Sequence, residues 1–244
     1  MKAMIFAAGL GTRLRPLTDT LPKALIDING KPALERVILK LKAVGVDEMV
    51  VNVHHFADQI VDFLKAHDNF GVDIAISDER GQLLDTGGGI LAARRWLDCG
   101  EPFIVHNADI MTDFDVAAMY ESHKHSGADV TMLTQRRVSS RYLYFDDSGR
   151  MRGWGKADGS AKIPEELDTE LLTGLGFGGV SVVSPSVFPL LEAYASKTPV
   201  FSTTPFYATN CNALDIRSYT PAGDYRWVDI GKPETLALAR ELWR

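Results

Sequence analysis

At 244 residues, with 45% hydrophobic and 24% charged side chains, the chain can bury one large core and has the composition of an ordinary globular protein. A formal net charge of −6 argues against a general binder of nucleic acid or anionic membrane, and Cys99 and Cys211 make no disulfide framework. No apolar run approaches the roughly 20 residues that span a bilayer, and no signal-peptide pattern precedes the first apolar run, so a cytoplasmic protein is expected.

The run Met4-Ile5-Phe6-Ala7-Ala8 predicts a strand buried on both faces. It ends in Gly9-Leu10-Gly11-Thr12, where small residues let a ligand approach the main chain and successive N–H groups form a nest for oxyanions. Arg13, Arg15 and Lys23 then place three cations within eleven residues. A strand opening into such a loop suits a polyphosphate. The loop is not a Walker loop, which needs Gly-Lys-Ser/Thr. Nor is it the dinucleotide fingerprint, since Leu14 replaces the third Gly and Pro16 blocks the helix that should follow.

Beyond it, residues 24–28 read as extended, Asn29-Gly30 as a turn, and Leu34, Val37, Ile38 and Leu41 as one face of a helix that Gly45 ends. Residues 49–53 and 72–76 read as strands, with a helix around Phe56, Ile60, Phe63 and Leu64 between them. This alternation predicts βαβ units in a mainly parallel sheet, with ligands gathering at the carboxyl ends of its strands. Leu84-Asp85-Thr86-Gly87-Gly88-Gly89 is expected to enter a helix, its glycines admitting something flat against the backbone. Phe103-Ile104-Val105-His106 is a further buried strand. It ends in Asn107-Ala108-Asp109, which sets a carboxylate beside any phosphate held by the first loop. Such a pair repels unless a hard cation lies between, so Asp109 is the first candidate magnesium ligand. Asp113 and Asp115 read as the cap and first turn of the next helix.

In the second half, residues 141–154 read as a hairpin turning at Asp146-Asp147-Ser148-Gly149, and residues 155–172 as irregular. Gly174 to Val183 reads as a glycine-led strand in which Gly178 and Gly179 either admit a ligand to the backbone or mark a β-bulge. Ser184 is a candidate helix cap. Residues 196–212 read as a lid or irregular helix, and 213–219 as a strand. Trp227-Val228-Asp229-Ile230-Gly231 precedes a last helix. The six histidines show no zinc spacing, and neither a Gly-x-Ser-x-Gly elbow nor an internal repeat occurs.

The opening stretch closely resembles the signature of the sugar-1-phosphate nucleotidyltransferases, Ala-Ala-Gly-x-Gly-Thr-Arg-Leu-x-Pro-Leu-Thr followed by Pro-Lys. Leu-x-Thr-Gly-Gly-Gly, Asn-x-Asp and Trp-Val-Asp-Ile-Gly resemble further motifs of that family in the expected order. The resemblance implies an α/β fold: a Rossmann-like mixed, mainly parallel sheet flanked by helices. It implies one domain over 1–244, with a nucleotide-binding half at 1–135 and a sugar-binding half at 136–244. By resemblance, Ala7, Ala8, Gly9, Gly11, Thr12, Arg13 and Gly88 bind the nucleotide, and Gly178 and Gly179 border the sugar. Asp109 and Asp229 hold Mg2+, and Arg13, Lys23 and Asp109 are catalytic. Asp85 stands where the wider family has Gly. The family's sugar-side Glu-Lys pair has Lys156, Lys162, Glu165 and Glu166 as candidates. The partners implied are a nucleoside triphosphate and a sugar 1-phosphate, without nucleic acid or membrane and with an oligomer possible. The triple glycine resembles N-acetylmuramate-1-phosphate uridylyltransferases. Mannose-1-phosphate guanylyltransferases, phosphocholine cytidylyltransferases and a catalytically silent nucleotide-sugar sensor are the alternatives.

Overall fold

The computed structural model describes residues 1–244. Its strands are β1 (Lys2–Phe6), β2 (Asp27–Ile28), β3 (Lys31–Pro32), β4 (Glu48–Val53), β5 (Asp73–Asp78), β6 (Phe103–Asn107), β7 (Ile110–Thr112), β8 (Val130–Gln135), β9 (Arg141–Phe145), β10 (Met151–Lys156), β11 (Lys162–Ile163), β12 (Thr173–Val183), β13 (Ile216–Tyr219) and β14 (Trp227–Asp229). The helices are α1 (Ala33–Ala43), α2 (Ala57–Ala66), α3 (Asp85–Ala92), α4 (Arg94–Leu97), α5 (Val116–Ser126), α6 (Phe188–Ala195), α7 (Thr203–Asn210) and α8 (Pro233–Leu242).

Side chains alternate across a strand, and the apolar runs therefore feed two cores at once. Ala3 and Ile5 of β1 face one core while Met4 faces the other; Met49, Val51 and Val53 of β4 oppose Val50 in the same way. The first core packs under α1, α2, α5 and α8, the second under α3, α4, α6 and α7. Between them lies a ten-stranded mixed sheet in the order β11-β10-β9-β12-β6-β1-β4-β5, with β8 on β12 and β13 on β8. Strands β6, β1, β4 and β5 run parallel to one another, as the alternating pattern predicts. The long β12 pairs antiparallel with β6, β8 and β9, so one sheet runs through both halves of the chain. No helix is long and apolar enough to cross a membrane.

Four local expectations need correction. Residues 24–28 are a helical turn followed by the two-residue β2, which pairs with β3 across Asn29-Gly30. The three glycines lie inside α3 rather than at its entrance. There is no lid-like irregularity at 203–210: α7 buries Phe206 and Tyr207 in the second core. Ser184 caps nothing; its hydroxyl donates to the Ala128 carbonyl at 3.0 Å and lies 2.9 Å from His123 Nε2.

That histidine makes the fold acid-sensitive. Because the Ser184 hydrogen is committed to Ala128, its oxygen accepts from His123 Nε2–H, and His123 Nδ1 takes Thr131 Oγ1 at 2.8 Å. Burial, with the side chain 1% exposed, lowers its pKa from 6.5 to about 4. The unfolded chain takes up this proton at a higher pH than the native one. Stability is therefore unaffected above pH 6.5 and falls as the pH drops from 6.5 toward 4. The loss is on the order of 2–3 kcal/mol. Melting temperatures across that interval should fall more steeply for the natural chain than for His123→Gln, which takes up no proton; parallel curves would exclude this source.

Candidate active site

Where β1 ends, the chain leaves the sheet between β4 and β6 and forms the floor of a cleft of about 530 Å³. Ala7, Ala8, Gly9, Gly11, Thr12, Arg13, Lys23 and Asp109 all line it. The N–H groups of Ala8, Gly9, Leu10 and Gly11 find no acceptor within the protein, the condition for an anion nest. The loop is held from behind. Gly11 has a left-handed backbone (φ 63°), its carbonyl accepts from Thr18 Oγ1 at 2.8 Å, and a Cβ there would stand 2.8 Å from Thr18 Cγ2 and 3.2 Å from Lys23 Cβ. The Pro-Leu-Thr and Pro-Lys portions of the signature thus have a mechanical role: they fold back against Gly11 and fix where Lys23 emerges.

The opposite wall comes from two short strands. β7 and β14 pair antiparallel with Ile110 opposite Asp229, and Ile230 N–H donates to the Asp109 carbonyl at 3.0 Å. Two aspartates 120 positions apart in sequence are thereby brought side by side. Lys23 Nζ makes an ion pair with Asp109 and lies 3.9 Å from Asp229 Oδ1. Arg13 joins them at Gly231, the glycine of Trp-Val-Asp-Ile-Gly. The point a Gly231 Cβ would occupy is 2.5 Å from Arg13 Nη2, 2.8 Å from Asp229 Oδ1 and 3.1 Å from Lys23 Nζ. Asp229 Oδ1 also accepts from Gly231 N–H at 2.7 Å.

Asp109 and Asp229 already share one positive centre, the Lys23 ammonium, and no third Cys, His, Asp or Glu joins them in a cluster. Two carboxylates facing a cation form the hard, oxygen-only and incomplete donor set that suits magnesium, whose remaining positions go to phosphate oxygens and water. Asp113 and Asp115 stand apart from this pair: Asp115, expected in the first turn of α5, is its cap through Ala118 N–H at 2.9 Å, while Asp113, expected as the cap, pairs with Arg226 at 2.6 Å.

Other expected site residues lie elsewhere. Gly88 is buried beneath the cleft wall, where a Cβ would meet Leu84 Cβ at 3.0 Å and the Pro199 carbonyl at 3.2 Å; it does not line the cleft. The residues of that segment that do are Leu83, Asp85 and Thr86. Asp85 adopts φ 60° and accepts Thr86 N–H on its own carboxylate at 2.6 Å, which accommodates an aspartate where glycine is the freer choice. Gly178 and Gly179 are also buried and outside the cleft lining, at a register shift of β12 against β8. They form a β-bulge: Gly179 has φ 74°, and a Cβ there would stand 2.5 Å from Ile110 Cγ1 and 3.3 Å from Nδ2 of Asn107, which lines the cleft. Lys162 is tied to the Leu167 carbonyl at 2.7 Å, while Lys156, Glu165 and Glu166 are exposed and lie outside the cleft lining.

Gly231, which lines the cleft at the meeting point of Arg13, Lys23 and Asp229, is a position that the sequence does not single out although it closes the Trp-Val-Asp-Ile-Gly motif. In Gly231→Ala the new methyl displaces the ends of Arg13 and Lys23, both flexible. The expected result is a near-normal melting temperature with kcat/KM for the activity proposed below reduced about tenfold, since a shift of about an ångström in a group that positions the reactants is costly for rate. Unchanged kinetics would show that the three groups need not converge there.

A mixed α/β sheet carries, at the carboxyl end of its first strand, unpaired main-chain N–H groups, two cations and two carboxylates, an arrangement that suits a polyphosphate ligand. Residues 2–149 match the nucleotidyl transferase family, and the chain belongs to that family. It is 34% identical over 245 residues to an N-acetylmuramate alpha-1-phosphate uridylyltransferase of Caulobacter vibrioides, covering 97% of this chain and 94% of the relative. It is 33% identical over 251 residues to a UTP–glucose-1-phosphate uridylyltransferase of Synechocystis sp., covering 95% of this chain but only 60% of that relative's length. In fold it resembles a crystal structure titled as a putative glucose-1-phosphate thymidylyltransferase from Bacillus anthracis, with TM-score 0.82, 15% identity and coverage of 99% and 94% of the two chains.

Proposed function

We propose that the protein transfers a nucleotidyl group, from UTP, to the phosphate of a sugar 1-phosphate, releasing pyrophosphate and forming a nucleotide sugar. The observation that carries this reading is the meeting of Arg13, Lys23 and Asp229 at Gly231, with Asp109 paired to the same lysine, beside the open N–H groups of residues 8–11. A phosphate oxygen of the sugar phosphate forms a new bond to the α-phosphorus as the bond from that phosphorus to the bridging oxygen of pyrophosphate breaks. The nucleophile is already an anion, so no base has to remove a proton. The protein's work is alignment and neutralisation of charge.

The loop amides and Arg13 hold the β- and γ-phosphates and stabilise the departing pyrophosphate. Lys23, a compact cation on a flexible stem, sits between the α-phosphate and the incoming phosphate. Asp109 and Asp229 would hold Mg2+, which would supply positive charge to offset that of the phosphates.

Uracil is favoured because both relatives described above are named as uridylyltransferases. An N-acetylated amino sugar such as N-acetylmuramate 1-phosphate is favoured because the chain matches 94% of the relative of that name. Glucose 1-phosphate is the second reading, carried by the Synechocystis relative. The test is pyrophosphate release with Mg2+ over a grid of four nucleoside triphosphates against several sugar 1-phosphates and phosphocholine. A single strong cell at UTP and an N-acetylated amino sugar is the expected result. A strong GTP–mannose 1-phosphate cell would replace the substrate and keep the mechanism, and a blank grid would overturn the reading.

A further inference from the structure

Asn52, at the carboxyl end of β4, and Glu79, just beyond β5, are each 3% exposed; they form part of a continuous hydrogen-bonded line at the floor of the cleft, which Asn52 itself lines and Glu79 supports from below. Asn52 Oδ1 accepts from Ala7 N–H at 2.8 Å, and Asn52 Nδ2 donates to Glu79 Oε1 at 2.8 Å. Glu79 Oε2 accepts from Leu84 N–H at 3.0 Å. The line therefore starts at the first residue of the phosphate loop and ends one residue before Asp85 and Thr86, which line the facing wall. The third glycine of α3 belongs to the same device. A Cβ at Gly89 would lie 3.1 Å from Glu79 Oε1 and 3.4 Å from Asn52 Nδ2, so the helix rests directly on the pair.

A buried amide and carboxyl are costly unless every polar atom is matched, and here each side-chain oxygen and nitrogen has a partner. A core that needed only volume would be filled more simply by two apolar residues. What the polar pair adds is a side-chain link between two loops whose strands, β1 and β5, do not pair with each other but lie on either side of β4.

We infer that Asn52 and Glu79 are positioning residues that hold the polyphosphate loop and the Leu83–Thr86 wall in register, so that both ends of one nucleoside triphosphate are gripped together. The inference rests on the proposed reading of the cleft as a nucleoside triphosphate site. Neither side chain touches the reacting atoms; they act through Ala7 and Leu84.

The variants are Asn52→Ala and Glu79→Gln. The glutamine side chain keeps the size of the natural one but offers one acceptor oxygen where two N–H donors need one each. Gly89→Ala, which removes no hydrogen bond and presses on the pair from the helix side, is the variant to read where the others do not fold. Dissociation constants are measured by calorimetry with Mg2+ for UTP and for inorganic tripolyphosphate, which engages the phosphate loop alone. In Glu79→Gln, UTP should bind about tenfold more weakly with tripolyphosphate affinity unchanged, the usual consequence of an orphaned buried donor away from the phosphate loop. Asn52→Ala, which also frees Ala7 N–H, should weaken both ligands and UTP the more. Equal losses for both ligands would reduce the pair to a support for the phosphate loop and overturn the inference, as would no loss for either. A natural protein that binds neither ligand would overturn the nucleotide reading itself, and this inference with it.

Discussion

Asp109→Ala is expected to lower kcat/KM for nucleotide-sugar formation by on the order of 10³ while the protein remains folded. Removing one preorganised electrostatic partner typically costs roughly 10²–10³ in rate, and Asp109 faces both the ammonium and the proposed metal position, which places it at the upper end. The fold should survive, because the link between β7 and β14 at this point is carried by backbone: Ile230 N–H donates to the Asp109 carbonyl, which alanine retains. The carboxylate is also partly exposed, with 24% of its side-chain surface accessible, so no core is opened. Asp109→Asn separates charge from shape. The amide fills the same space and can still bond to a neighbour, but it has no negative charge to hold a cation. Pyrophosphate release and melting curves on both variants decide the matter. A nearly active Asn variant would show that geometry, and not charge, is what Asp109 contributes.

The parts of this site that were legible in the sequence are those whose physics is local. Met4 and Ile5 face opposite cores because they are adjacent in a strand, and the loop after them needs Gly11 because one backbone position is left-handed. Arg13 and Lys23 follow within a dozen residues, and Asp109 closes a strand that neighbours β1. The parts that were not legible depend on which distant segments meet. The three glycines of α3 suggest an exposed ligand-facing entrance, but their neighbours are Phe201, Pro199, Leu84 and the Asn52–Glu79 pair, most of them contributed by other elements. The bulge at Gly178 and Gly179 follows from the register of β12 against β8 and from Leu133 and Ile110 packing on the two glycines, contacts that the sequence does not display. Asn52 looks like a stray polar residue in Val-Asn-Val; its meaning appears only when β4 lies beside β1 and Ala7 comes within 2.8 Å of it.

Lys23→Ala should combine two effects that pull in opposite directions. Under the proposed reaction it removes the cation that sits between the α-phosphate and the incoming phosphate, and kcat should fall by on the order of 10²–10³. In the nucleotide-free protein, however, the same ammonium is the ion-pair partner of Asp109 and lies 3.9 Å from Asp229. Any divalent cation entering between those carboxylates must displace it or share their charge. Without Lys23 two carboxylates face each other with only Arg13 nearby, and charges at such separations interact by a few kcal/mol at the effective dielectric of a half-buried site. Mg2+ or Mn2+ should therefore bind the nucleotide-free variant more tightly than the natural chain, by about tenfold, although the variant is the poorer catalyst. Calorimetric titration of the metal in the absence of nucleotide, set beside pyrophosphate release, measures both quantities on one preparation. Weaker metal binding by the variant would mean that Lys23 organises the two aspartates for the cation. In that case the lysine and the metal would cooperate rather than compete for the same ground.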